Sequence, residues 1–317
     1  MSKRRDAVEC KDIGSLNQMY PYVMIHRSDA EVCMKQTFDI TELMDYCAKK
    51  KANGQDFKPF HAVVYAIAKT VFLRPRMNRF ISGRKYWQRN EIIMSFVAKQ
   101  KFEDTAKETM IFLHVKPEMT GDDVSHIILG DVKKARQGSD GNLGSAMDLV
   151  ASLPRFIKVF FFRILYILEY FGKMPKSLTE GDSNYATVLL SNLGSIGVDS
   201  CYHHLNNYGT QSIMGTVGKY YEKDGRIYLP MTITLDERIA DGFYFARSLR
   251  VAKFLLEHPS YLDGRIDEPI PLDIETGKIT IEEKTVKKEI VEKKTVKKKT
   301  APKKTTKKKV TKTEETK

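Results

Sequence analysis

The chain has 317 residues, of which 42% are hydrophobic and 10% aromatic, with a formal net charge of +13. That length can bury one large core or two small ones, and the composition is ordinary for a globular protein. Residues 281–317 carry fifteen Lys and six Glu, net +9, which leaves only +4 for the body. The bulk charge therefore excludes a body built as a nucleic-acid binder, and the basicity is confined to a tail. Cys10, Cys33, Cys47 and Cys201 form no CxxC pair and no metal-ligand spacing. Reduced thiols in a cytoplasmic protein, with no metal, are the expectation. The N-terminus has basic residues with no apolar stretch after them, so nothing points to secretion.

In chain order, "EVCMKQTFDI" reads as a strand, and "DITELMDYCAKKKANG" as a helix capped by Asp39 or Thr41 and stopped at Gly54. "KPFHAVVYAIAKTVFLRP" is a stronger helix: Pro59 suits its start, Phe60, Val63, Val64, Ile67, Ala68 and Val71 share a face, and Pro75 ends it. "GRKYWQRNEIIMSFVAKQ" has the pattern of a hairpin on which Trp87 packs, and "ETMIFLHVK" that of a strand. "GDDVSHIILGDVKKARQG" returns to helix. Residues 149–171 form an apolar helix whose charges, Arg155, Lys158, Arg163 and Glu169, fall with Lys173 within an arc of about 140° at 100° per residue. Those charges rule out a membrane span. They leave open a helix buried in the core or in an oligomer interface, an interfacial membrane helix, or a lid.

"YATVLLSNLGSIG", "QSIMGTVGKYY" and "RIYLPMTITL" are three strand-like runs, and "DERIADG" follows the last at the head of an amphipathic helix pattern. Strands and helices mix without βαβ regularity, which predicts an α/β fold with a mixed sheet. The Lys/Thr-rich end, residues 276–317, cannot bury enough surface to offset its ordering entropy and is expected to be disordered. A solvated extension is the first expectation for it. Weak contact with an anionic membrane comes second, and nucleic acid third.

Four blocks, "DITELMDYCAKKKANG", "HAVVYAIAKTVFLRPRMNRFISG", "VLLSNLGSIG" and "PMTITLDERIADG", stand in the order of a known family. Over residues 20–262 the chain resembles the catalytic domain of 2-oxoacid dehydrogenase acyltransferases (dihydrolipoyl transacylases) and the related chloramphenicol acetyltransferase. The resemblance implies a two-layer α/β sandwich over residues 19–275, after an N-terminal arm of residues 1–18. It also implies a homotrimer with sites between subunits, and CoA or acyl-CoA as cosubstrate rather than a permanently bound cofactor. Only about twenty residues precede the similar stretch, so a chain working outside a standard dehydrogenase complex is expected.

In that family the last motif reads Asp-His-Arg-x-x-Asp-Gly, and its His takes the proton from the CoA or lipoyl thiol. A hydroxyl in Ser/Thr-x-Leu-Gly stabilises the tetrahedral oxyanion. The resemblance assigns that role to Ser191, with Asn192 and Gly194 in its turn. Asp236, Arg238, Asp241 and Gly242 match the frame of the catalytic motif. Arg27 is the candidate partner of Asp241, while Pro75 and Asn78 match a structural turn. The base position holds Glu237.

A thiol titrates near 8.5, imidazole near 6.5 and Glu near 4.3, so the carboxylate is a much weaker base unless burial raises it. Glu237 reads as an altered base, a repurposed binding group, or a carboxylate paired with an Arg. His203 and His204, in "CYHHLNNYGT", imitate a His-His-x-x-x-Asp-Gly motif of related condensation and acetyl-transfer enzymes, with Tyr208 in place of Asp. They are expected to be exposed loop residues, or else a relocated base near Ser191. The expected function is an acyltransferase-like protein; the alternative is a pseudoenzyme that keeps the fold as a binding or scaffolding protein.

Overall fold

The computed structural model describes residues 4–99, 108–137 and 150–280. Contacts divide the chain into residues 1–270 and a unit from residue 271 onward, whose described part holds one antiparallel bridge, Leu272 to Ile279. The tail from residue 281 lies outside the described residues.

The first half of the fold runs β1 (Ala7–Glu9), α1 (Ser15–Val23), β2 (Glu31–Asp39), α2 (Thr41–Ala52), α3 (Pro59–Leu73), β3 (Arg79–Ser82), β4 (Lys85–Arg89), β5 (Ile92–Lys99) and β6 (Glu108–Val115). It continues with α4 (Gly121–Arg136), α5 (Arg155–Tyr170), α6 (Lys176–Thr179), β7 (Val188–Asn192), β8 (Ile213–Val217), β9 (Tyr221–Lys223), β10 (Arg226–Asp236) and α7 (Gly242–Glu257). The larger sheet has the order β2-β10-β8-β7-β5-β6, with β9 added to β10. Strands β5, β7 and β8 run parallel to one another and the other pairs are antiparallel, which gives the mixed sheet the sequence predicts.

Period-two patterning sets the faces of this sheet. In β10, Met231, Ile233 and Leu235 point to one side and Thr232 and Thr234 to the other, and all five are buried. The apolar side packs under α3 and α7, where Phe38, Val71, Leu190, Ile233, Phe245 and Leu256 meet around a cavity of only about 30 Å³. Each such side chain contributes roughly 1.5–3 kcal/mol by leaving water. Ten of the fifteen residues of α3 are buried, so it is the central helix of the layer. Pro59 occupies its first turn, where the missing N–H is not needed. Pro75 disfavours helical geometry at Arg74 and ends it. At the start of α2 the carboxylate of Asp39 accepts the Thr41 N–H at 3.0 Å, while the Thr41 hydroxyl donates to that carboxylate and accepts the Ile227 N–H.

One expectation needs correction, and a second is narrowed. The stretch from Gly83 onward does not fold back on itself as one hairpin. Instead β4 pairs with β3 across Gly83-Arg84 and with β1, while β5 joins the larger sheet. Both turn residues have positive φ, 58° and 61°, the geometry that matches the twist of a two-residue hairpin. At the far end of β4, Arg89 is buried and donates to the carbonyls of Tyr185, Ala186 and Thr210 at 2.8–3.1 Å. That clamp ties the strand end to the segments that lead into β7 and β8 of the larger sheet, so the chain crosses over there instead of turning. Trp87 packs in the small sheet with Ala7 and Phe80, as expected.

The second concerns α5, for which burial in the core of its own chain is one of several readings the sequence leaves open: only Leu165 and Glu169 are buried along it. Glu169 points inward, where its carboxylate takes Arg4 at 2.7 Å and the Ser82 hydroxyl at 2.9 Å. Arg4 itself lies 4.9 Å from the Phe80 ring centre. The inward side of this helix therefore joins Glu169, from the charged arc, to an apolar anchor of Leu165 with Met174 and Tyr185, and a second apolar face is left towards solvent.

Candidate functional site

The "DERIADG" segment begins inside β10 and is held by charge. Asp236 is fully buried, and Arg238 donates to both of its oxygens, Nε to Oδ1 at 2.8 Å and Nη2 to Oδ2 at 2.7 Å. Arg27 approaches the same carboxylate at 3.8 Å and donates to the carbonyls of Asn206 and Gly209. Burial pushes the Arg27 guanidinium below its ordinary range, and the Asp236 charge opposes that shift. The expected pairing of Arg27 with Asp241 is therefore wrong. Asp241 instead caps α7, its Oδ1 accepting the Tyr244 N–H at 2.8 Å. A carboxylate spent on a helix N-terminus is exposed and unavailable, whereas Asp236 lies where an arginine needs a counter-charge. Gly242 has open space where a Cβ would stand, so no packing within this chain requires glycine there.

Glu237 lies in the turn after the strand, exposed, with its N–H on the Ala30 carbonyl at 2.9 Å. Arg238 also donates to the Met24 carbonyl at 2.9 Å. Residues 24–30 thus clasp the turn from the other end of the chain, and exposed His26 belongs to that clasping segment. No spacing in the sequence links residues 26 and 237. The one available signal was Arg27, its neighbour.

Ser191 is half-buried near the end of β7, on the face away from α3 and α7. It forms a row across the sheet with Thr216, Thr232 and Lys35, through the pairs Ser191–Thr216, Thr216–Thr232 and Thr232–Lys35. Asn192 shapes the turn that follows, its side chain accepting the Ser195 N–H at 3.3 Å. Gly194 is needed for contact: a Cβ would stand 2.5 Å from the Gly218 carbonyl oxygen.

In one chain Ser191 and Glu237 do not meet. Asp236 is four residues beyond Thr232 along β10, and β10 is two strands from β7. At about 3.3 Å per residue and about 4.8 Å per strand, that is roughly 16 Å.

The loop carrying His203 and His204 runs between these two places. The Thr216 hydroxyl takes the Cys201 N–H at 3.2 Å and donates to its carbonyl at 2.6 Å, which starts the loop on the Ser191 row. The Leu205 N–H reaches Glu31 Oε1 at 2.5 Å, and the Tyr202 hydroxyl donates to the same carboxylate. Glu31 is the register partner of Asp236, so this end of the loop lies at the "DERIADG" end of the sheet. The two imidazoles are exposed and stacked, ring centres 5.0 Å apart, and His203 Nδ1 is 2.8 Å from the His204 carbonyl oxygen. Neither is hydrogen-bonded to Ser191 among the described residues.

A cavity of about 650 Å³ lies elsewhere, lined by Arg4, Arg89, Phe112, His114, Met174 and Tyr185 among others. It contains none of the candidate residues, and its basic side chains are engaged: Arg4 with Glu169, Arg89 with backbone carbonyls, and His114 Nδ1 3.1 Å from Glu91. Among the described residues no group of three His, Cys, Asp or Glu could hold a metal ion.

No protein-family model and no curated protein matched the sequence. Solved structures did. The dihydrolipoamide acetyltransferase of Azotobacter vinelandii, investigated for the role of a serine, a histidine and an asparagine in its catalytic mechanism, aligns at 15% identity and a TM-score of 0.53, covering 80% of this chain and 94% of its own. The cubic core of the pyruvate dehydrogenase multienzyme complex aligns at 15% identity and 0.52, covering 80% and 94%. A truncated catalytic core of the 2-oxoacid dehydrogenase multienzyme complex from Thermoplasma acidophilum gives 15% and 0.52, covering 80% and 99%. The resemblance read from four sequence blocks therefore holds for the fold, which is the acyltransferase two-layer sandwich with a mixed sheet.

Proposed function

We propose that this protein binds CoA or a related acyl thioester at a site assembled between copies of the chain, and transfers the acyl group to or from another thiol. The observation that carries this reading is the position of Ser191 and Glu237. Both belong to motifs of acyltransferase cores, yet Ser191 and Asp236, the residue before Glu237, already stand roughly 16 Å apart in one chain. A site using both needs two chains, and the cubic core among the structural neighbours is an assembly of the same fold. A homotrimer is the smallest closed ring that the sequence resemblance suggests.

In the reaction, a carboxylate oxygen of Glu237 takes the thiol proton. The thiolate sulfur then bonds to the thioester carbonyl carbon, and the Ser191 hydroxyl donates to the resulting oxyanion. Collapse breaks the original carbon–sulfur bond, and the departing thiolate recovers the proton. The rigid Asp236–Arg238–Arg27 cluster holds the turn that presents Glu237.

A second reading, a thiol-binding pseudoenzyme, is favoured by one fact: Glu237 is exposed, so within one chain it lacks the burial that would strengthen a carboxylate as a base. Thiol release from a panel of acyl-CoAs, measured beside CoA binding, separates the two. For a slow enzyme, Glu237→His should raise turnover by about 10²–10⁴-fold, the contribution of a positioned base. Binding of CoA with no turnover in either form leaves the pseudoenzyme. Turnover that ignores Glu237→His but vanishes in His26→Ala, His203→Ala or His204→Ala moves the base to that imidazole.

A further inference from the structure

Helix α5 packs Leu165, with Phe161 and Leu168 beside it, against Met174 and Tyr185, and leaves a second apolar face towards solvent. Glu169 is buried on Arg4, while Phe156, Phe160 and Ile167 are 74%, 65% and 57% exposed, and Val159, Tyr170 and Phe171 are exposed beside them. Helix α1 carries a second outward apolar stripe of Leu16, Met19, Tyr22 and Val23. Both helices hold the same hairpin turn. The Tyr170 carbonyl lies where a Cβ on Gly83 would stand, and Arg84 bonds the Pro21 carbonyl and lies 5.7 Å from the Tyr22 ring centre. Two exposed apolar helices on one turn form more hydrocarbon surface than a chain leaves open without an interaction role.

We propose that this two-helix face lies on an anionic lipid bilayer. The charge around it is cationic: Arg155, Lys158, Arg163, Lys173 and Lys176 stand between residues 150 and 180, Glu169 is turned inward, and Glu180 pairs with Lys176 at 3.4 Å. Anionic headgroups complement that pattern. A two-fold pairing of this face with its own copy would set like charges opposite one another. At sixteen residues α5 is about 24 Å long, short for a span but suited to lying in the interface with its rings down. Among the described residues no helix is long and apolar enough to cross a membrane. The fifteen Lys of residues 281–317 add an electrostatic attraction of the same sign, and two weak signals together give stable attachment where one does not.

The test is co-sedimentation of the full-length protein with phosphatidylcholine vesicles, with and without phosphatidylserine, at low and high salt. Binding should require phosphatidylserine and persist in part at high salt. The doubly substituted Phe156→Glu/Phe160→Glu protein should bind about tenfold or more weakly and lose the salt-resistant part, because buried aromatic area is what salt does not screen. Phe160→Trp, a substitution the exposed position tolerates, should shift its emission to the blue on the same vesicles. No binding, binding indifferent to the double substitution, or an unshifted Phe160→Trp overturns the proposal. So does a fall in oligomer mass by light scattering in the double variant, which would make the face an interface between copies.

Discussion

At the scale of residues, the buried carboxylate of Asp236 governs the candidate site. Removing it leaves Arg27 and Arg238 facing each other without a counter-charge, and a broken buried pair costs about 3–5 kcal/mol. Asp236→Ala should lower the urea midpoint by the equivalent of that loss, whereas Asp241→Ala, an exposed cap, should cost about 1 kcal/mol. The motif frame was legible in the sequence, but the partner of Arg27 was not. Asp236 and Asp241 are five residues apart in one turn, and only the start of α7 decides which of them is spent on a backbone N–H.

His61 supplies a pH dependence away from the site. It is buried, its Nδ1 accepts the Lys58 N–H at 3.3 Å and lies 2.8 Å from the Ser125 hydroxyl, and burial pushes its pKa down to about 4. Unfolded, it titrates near 6.5, so between about pH 6.5 and 4 the unfolded chain binds a proton that the folded chain refuses. Stability should fall across that window by about 3 kcal/mol and be unaffected above it. Urea melts at pH 7.5 and 4.5 check this, and His61→Gln should remove that part of the loss.

At the scale of elements, α5 is the instructive case. Its periodicity correctly groups the charges within one arc, but periodicity does not say which arc looks inward. The inward direction is fixed by Arg4, 150 residues and more away in sequence, held between the Phe80 and Trp87 rings and the Glu169 carboxylate. Glu169→Ala leaves Arg4 buried with Asp6 as its remaining carboxylate and should cost about 3 kcal/mol, with faster proteolysis around α5 as a local signature. Glu169→Gln, which keeps an acceptor, should cost less. The misread hairpin has a similar cause. Trp87 and Ile93 lie in two strand-like runs separated by a short polar step, and a local pattern alone reads that as a turn. What carries β5 away is Arg89, whose carbonyl partners lie about a hundred residues on and are invisible to any short window.

At the scale of the whole molecule, the fold was legible because four local blocks occur in family order and each strand and helix they imply is present. The site was legible only as fragments. Ser191, the His203–His204 loop and Glu237 lie along one face and one end of the larger sheet, but the distance between Ser191 and Glu237 within a chain belongs to sheet register, which the spacing of motifs does not encode. His26 became visible only when residues 24–30 closed around the turn.

The central claim is that Ser191 of one copy and Glu237 of another form one thiol-binding site. Cross-linking tests it directly: a Ser191→Cys/Glu237→Cys protein, with exposed Cys33 and Cys201 changed to Ser, treated with a bifunctional thiol reagent. A reagent spanning about 8 Å cannot bridge the roughly 16 Å within one chain. The account predicts covalent oligomers on a denaturing gel, formed more slowly when CoA occupies the site. Links confined to single chains, or no links at all from a protein that still binds CoA, would contradict it.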